Sequence, residues 1–163
     1  VGELRRRSGA PVFPPISHVL LVIVGGVFGT AARAGLSDAV PAVGGWPVAT
    51  AFVNLAGAFL LGIGLEGLAR RGPDVGRRRV LRLMIGTGFM GAFTTYSTLA
   101  VETGELFGGG DIAIGLTYAI GSVLLGTAAA AAGIWTAAGQ HRLMQRRRGP
   151  EWPGDSGPTG ETL

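Results

Sequence analysis

Four apolar stretches, 18–36, 46–69, 80–107 and 112–138, take up most of this 163-residue chain. A helix needs roughly 20 residues to cross a hydrocarbon core of about 30 Å, and each stretch supplies about that number or more. Main-chain polar groups inside lipid must be satisfied within the protein, which favours helices for spans of this length. The expectation is an all-α membrane protein with four transmembrane helices in one bundle. It divides the chain into an N-terminal segment, 1–16, a four-helix unit, 17–138, and a basic and then disordered tail, 139–163. The run after Arg5-Arg6-Arg7 is too long for the apolar part of a signal peptide, and no clear cleavage site follows it, so it is read as the first span.

The basic residues fix an orientation. All 14 are arginine. Thirteen lie before the first span, around the second loop or after the fourth span. The first and third loops carry none. Arg33 is the exception, inside the first span. Basic residues stay on the cytoplasmic side of a membrane. The termini and the second loop are therefore expected in the cytoplasm, in one fixed orientation in the cell membrane. The positive balance is a topology signal and no sign of nucleic acid.

Most of the 30 glycines fall inside apolar runs. There they let helices approach closely, as at Gly25 and Gly29 or Ala58 and Gly62. With no cysteine and only two histidines, near span ends, the chain has neither a thiolate site nor a histidine cluster. No nucleophile–base pair for an enzyme is apparent.

The polar residues inside the spans are few. Thr50 and Asn54 are four apart on the second span and share a face, as do Tyr118 and Ser122 on the fourth. Each can donate a hydrogen bond and none is charged. Such rows either glue helices together or replace the water around a small anion. Arg33 is either an interfacial anchor or a cation that draws anions inward. Glu66 lies near the end of the second span. Glu102 lies on the third, four after Thr98. The first span has no carboxylate, which is poor equipment for a proton-coupled exporter.

The third span is unlike the others. Its middle, 86–98, holds Gly86, Gly88 and Gly91, then Thr94, Thr95, Tyr96, Ser97 and Thr98. This is poor material for a regular lipid-facing helix. A break near the middle would have to be buried in protein or line a wet cavity. A broken helix is also a common way to build an ion site. An intact helix packed through its small face is the alternative.

Three segments resemble the Fluc/CrcB fluoride channels. They are Gly25-Gly26-Val27-Phe28-Gly29-Thr30-Ala31-Ala32-Arg33, then Ala49-Thr50-Ala51-Phe52-Val53-Asn54-Leu55-Ala56-Gly57-Ala58-Phe59, then Gly88-Phe89-Met90-Gly91-Ala92-Phe93-Thr94-Thr95-Tyr96-Ser97-Thr98-Leu99. The resemblance covers all four spans in order. It implies a passive fluoride-selective channel that lowers cytoplasmic fluoride, built as an antiparallel dimer of the dual-topology type. It implies a structural, untransported Na⁺ at the dimer centre, held by the main-chain carbonyls of Gly91 and Thr94 where the third helix breaks. It places Asn54, Thr50, Tyr118 and Ser122 in the fluoride pore and matches Arg33 to the family's first-helix arginine. The family's pair of pore phenylalanines is replaced by Tyr96 and Leu99. Tyr96 keeps an aromatic edge for an anion. Leu99 does not, so the resemblance leaves open a non-conducting subunit that completes a partner's pore. A small cation or drug exporter is the other alternative. The one-sided arginines point to a heterodimer with a paralogue of opposite bias, and otherwise to a homodimer, in membrane lipid.

Overall fold

The structure, a computed structural model, describes residues 14–70 and 72–147, with side chains as far as 140. The N-terminal arginines, Arg71, Arg148 and the end of the expected tail lie outside the described residues.

The described chain is helical throughout, with short connections. Helix α1 is Ile16–Ala39, α2 is Val48–Ala69 and α3 is Arg77–Leu81. A π-helical segment, Arg82–Met90, continues α3 into α4, Gly91–Phe93. Helix α5 is Tyr96–Gly108 and α6 is Ile112–Arg147. Three helices are each long and apolar enough to cross a membrane: α1, α2 and the Ile112–Gln140 part of α6. The stretch expected as the third span is divided among α3, the π segment, α4 and α5.

The helix ends depart from the sequence reading for local reasons. Pro47 and Trp46 are expected to open the second helix. Instead α2 begins at Val48, because Trp46 is committed to a small hairpin. Its N–H donates to Val43 O at 3.0 Å and the Val43 N–H donates to Trp46 O at 3.2 Å. Gly44 and Gly45 close that turn at φ of 58° and 82°, which only glycine adopts freely. At the other end, α6 continues past residue 138, where the fourth span is expected to stop.

Two close crossings hold the bundle. Helix α1 lies on the π segment. A Cβ added at Gly25 would stand within 1.9 Å of Met84 O, and one at Gly29 within 2.2 Å of Phe89 O. Gly88 answers from the other side, 2.6 Å from Val22 O by the same measure. Helices α2 and α6 cross through Gly62 and Gly133, whose added Cβ atoms would meet Ala130 O and Phe59 O at 2.4 and 2.2 Å. Backbones this close gain dispersion and weak C–H···O contacts that larger residues forbid. Gly29→Ala and Gly133→Ala are each expected to cost about 1–3 kcal/mol by overpacking. Gly121→Ala, with open space around it, should stay within about 0.5 kcal/mol. Thermal unfolding in detergent micelles checks the contrast, and equal midpoints would refute it.

Little apolar surface is buried inside the chain. Val53, Met90, Leu99, Tyr118 and Ala137 form the small buried core. Ile23, Phe28, Phe52, Leu124 and Trp135 are among many large side chains that face outward. That exposure suits lipid or a second subunit. At the arginine-rich end, Asp74 ties the loop to the helix behind it, with a carboxylate oxygen 2.6 Å from Arg82 Nη2. The Arg82 guanidinium holds the exposed Asp74 carboxyl below its ordinary value.

Candidate functional site

Two polar clusters lie along the seam of α2, α5 and α6, and both begin with how helical bonding stops after α4. Thr94 has a ψ of 153° and Thr95 a φ of −147° with ψ of 121°, so both are extended. The Thr94 N–H and hydroxyl both donate back to Met90 O, at 3.1 and 3.0 Å. Thr95 then caps α5: its Oγ1 accepts from the Thr98 N–H at 3.1 Å.

Asn54 stabilises that extended step. Its Nδ2 donates to Thr95 O at 2.9 Å, and its Oδ1 accepts from the Thr95 N–H at 2.8 Å. The side-chain amide pairs with Thr95 as a neighbouring strand would. Close by, Gly57 makes room for Thr94: a Cβ there would lie 2.3 Å from the Thr94 methyl. Arg33 joins from α1, with Nε donating to Ala92 O at 3.2 Å. The half-buried Arg33 thus holds a carbonyl at the end of α4.

These bonds redirect main-chain donors. In a regular helix the Thr95 N–H would go to Gly91 O, and the Thr98 N–H to Thr94 O. The first goes to Asn54 and the second to the Thr95 hydroxyl. The Gly91 and Thr94 carbonyls have therefore both lost their next-turn donor. Gly91 itself has an ordinary helical φ of −63° and ψ of −31°, with nothing within 4 Å of an added Cβ. Nothing inside the chain demands a glycine there.

The second cluster centres on Glu102. Thr50 Oγ1 donates to its Oε1 at 2.8 Å, and Tyr118 OH to its Oε2 at 2.6 Å. Thr50 is 3% exposed and Tyr118 1%. One carboxylate of α5 therefore joins α2 to α6. It also lines a cavity of about 490 Å³ at the end opposite the second-loop arginines, together with Thr98, Glu105 and Asp111.

Of the residues expected to act, Thr50 and Tyr118 meet through Glu102. Asn54 lies one turn along α2 and belongs to the clamp on Thr95, as Thr50–Asn54 spacing requires. Ser122 is half-buried one turn along α6 and joins neither cluster. Tyr96 and Leu99 point apart: Tyr96 is 79% exposed and Leu99 7%. Leu99 packs inside the chain. Glu66 pairs with Arg70 on its own helix end. Sequence reasoning did not find Glu102 as the acceptor that Thr50 and Tyr118 share. The signal was its place four residues after Thr98, which puts both on the polar face of α5.

Residues 20–134 match the family model described as CrcB-like protein, Camphor Resistance (CrcB). A relative from Leifsonia xyli subsp. xyli, named fluoride-specific ion channel FluC 2, is 50% identical over 131 residues, 80% of this chain and 90% of its own length. FluC 1 of Cutibacterium acnes is 46% identical over 107 residues, 65% of this chain and 75% of its own. FluC of Thermus thermophilus is 40% identical over 113 residues, 68% and 87%. The match runs from α1 into α6 and takes in both polar clusters, and by it the chain belongs to the CrcB-like family of multi-pass membrane proteins.

Proposed function

We propose that the chain is a subunit of a passive, fluoride-selective channel of the cell membrane that lowers cytoplasmic fluoride. The relatives it matches are named fluoride-specific ion channels. The observation that carries it here is the polar seam of α2, α5 and α6, where the hydroxyls of Thr50 and Tyr118 meet on Glu102 and Asn54 holds Thr95, beside a helix that stops and restarts. Neutral donors can replace the water of a small, strongly hydrated anion without trapping it as a fixed cation would. Arg33 stands beside the break and supplies positive potential. Tyr96, exposed on the outside of α5, offers an aromatic edge to an anion at a subunit boundary. Ser122 extends the row along α6.

The reading includes a second, inverted subunit and a structural Na⁺ between the two. Main-chain oxygens suit a hard cation, and the carbonyls of Gly91 and Thr94 are the ones deprived of helical donors. When bound, Na⁺ would neutralise carbonyl dipoles that otherwise face each other. The arginine-rich end, with both termini, faces the cytoplasm in this reading.

Fluoride release from loaded vesicles tests the function, with chloride release as control. The expected result is fast fluoride loss with chloride retained. No fluoride loss from the native assembly would overturn it. Gly91→Val tests the Na⁺ and the interface together. Because nothing in the chain crowds this position, the subunit should fold normally while its dimer weakens by about 1–3 kcal/mol. Cross-linking in membranes with and without Na⁺ reads this. Unchanged, Na⁺-dependent dimer would remove Gly91 from the axis.

A further inference from the structure

The arginine-rich end of the bundle holds a second cavity, of about 300 Å³, which shares no lining residue with the one beside Glu102. Helix α2 lines it with Leu60, Leu61 and Leu65, the π segment with Ile85 and Met90, and α6 with Ala137. Leu60, Leu65 and Ile85 are each nearly half exposed. Three glycines line it as well, Gly64 and Gly67 of α2 and Gly86 of the π segment. A Cβ added at any of the three would meet nothing within 4 Å. They differ in this from Gly29 and Gly133, which close helix crossings require. Here the missing side chains leave an apolar groove that the chain's own packing does not fill.

The groove has the depth of one leaflet. It runs along α2 from Leu60, just past the middle of Val48–Ala69, to Arg70. At 1.5 Å per residue that is about 15 Å, half of a hydrocarbon core of about 30 Å. Spread over this length, 300 Å³ is a cross-section of about 20 Å². A helix about 10 Å across would need about 80 Å². The space therefore suits a single hydrocarbon chain and is too narrow for a helix of a second subunit.

The chemistry changes at the mouth, where Arg70 and Gln140 line the groove. Arg70 meets Glu66 through Nε and Nη2, and a guanidinium has donors beyond those two. Arg78 folds over the turn that follows α2, with Nη1 2.7 Å from where a Cβ of Gly72 would stand. Asp74 is engaged by Arg79 and Arg82. Between residues 66 and 82 the sequence has six arginines against two carboxylates, so positive charge is in surplus at this mouth. Apolar walls that end in guanidinium groups match the polarity of an acyl chain that ends in a phosphate.

We propose that this groove binds one anionic phospholipid of the cytoplasmic leaflet, with an acyl chain along Leu60, Gly64 and Ile85 and its phosphate at Arg70 and Arg78. Guanidinium groups bind phosphate oxygens through paired N–H donors, which fixes the headgroup as well as attracting it. The proposal rests on the arginine-rich end facing the cytoplasm, and not on which ion the channel conducts.

The test uses the assembly purified with its partner from the host and reconstituted in phosphatidylcholine vesicles. These contain a trace of phosphatidylglycerol with a photoactivatable group in its acyl chain. After illumination, label on residues 60–68 and 81–90 should exceed label on the outward face of α1, around Ile23 and Phe28, by about tenfold. Excess plain phosphatidylglycerol should remove the groove label and leave that on α1. Photoactivatable phosphatidylcholine should mark both places alike. Arg78→Gln should lower the groove label about fivefold. Gly64→Leu puts a side chain into the open groove and should abolish its label, with the assembly eluting as wild type. Should Gly64→Leu not assemble, Arg78→Gln decides, because that residue lies outside the apolar spans. Equal phosphatidylglycerol label on groove and α1 overturns the proposal, as does groove label that phosphatidylcholine matches or that neither substitution lowers. Leu65→Cys that cross-links to the partner subunit, with no lipid label in the groove, would put the second subunit there instead and also overturn it. Fluoride flux is no part of this readout, so a failed lipid site and a failed channel reading are told apart.

Discussion

Asn54→Asp is expected to lower fluoride flux about a hundredfold. The substitution keeps an oxygen to accept from the Thr95 N–H but replaces the donor that now reaches Thr95 O at 2.9 Å. Two acceptors then face each other at a step that has no helical bonding to fall back on. Losing one bond and stranding a carbonyl costs about 1–3 kcal/mol. The charge adds more. A fixed negative charge about 5 Å from a passing anion repels it by about 3 kcal/mol at an effective dielectric constant near 20, which alone is about two decades in rate. Asn54→Leu separates the two effects. It breaks the clamp on Thr95 without adding charge, so its flux should fall less, by about tenfold. Stopped fluoride release in vesicles measures both. Equal losses would assign the whole effect to the clamp and none to the route. Near-normal flux in Asn54→Asp would remove this residue from both roles.

The clamp of Asn54 on Thr95 was out of reach of the sequence. Spacing alone put Thr50 and Asn54 on one face, and hydropathy alone put them inside a span. Neither says that Asn54 reaches across 41 positions to an extended residue on another helix. Apolar length marked three helices, though α6 runs on to Arg147, because burial in lipid demands long apolar runs whatever the packing. Ends were less legible. The Val43–Trp46 hairpin is a local contest between turn and helix, and Gly44-Gly45 wins it through positive φ that no periodicity count registers. The stretch 86–98 was legible as irregular, by its glycines and hydroxyls, but not the π-helical form of Arg82–Met90, which overlaps only its start. The backbone of α1 approaches that segment closely, with Gly25 and Gly29 against Met84 and Phe89. A rare helical form against another helix's backbone is a tertiary fact.

Glu102 and Leu99 take their meaning from surroundings that the sequence does not show. The first was legible only as an acid four residues after Thr98, the second only as a leucine where the family has an aromatic. Glu102 has two buried hydroxyls as donors, and so a polar row that looked wholly neutral has a charge at its centre. Leu99 is turned into the core, while Tyr96 three residues earlier faces out. Residues three apart on a helix differ in direction by about 60°, enough to separate an interior from an exterior face.

Expressed alone in a fluoride-sensitive host, the chain is expected to insert one way only and to leave the host sensitive. Thirteen arginines belong to the N-terminal segment, the second loop region and the tail, against none in the first and third loops. Each arginine moved across a bilayer costs about 2.5–3.5 kcal/mol at mid-membrane on insertion scales, so an inverted copy would carry a penalty far beyond what dimer contacts restore. A dimer of inverted subunits therefore needs a mate whose arginines lie at the other end. The structure adds a physical motive: exposed positions on α1 and α5, with Gly91 and Tyr96 either side of the break, are left uncovered by the described residues. A tag at each terminus, read by a membrane-impermeant label, reports orientation, and growth on fluoride reports function. Co-expression with a homologous chain of opposite arginine bias should restore growth and cross-link to this one. Comparable amounts of both orientations from this chain alone, with resistance restored, would replace the heterodimer by a self-paired channel.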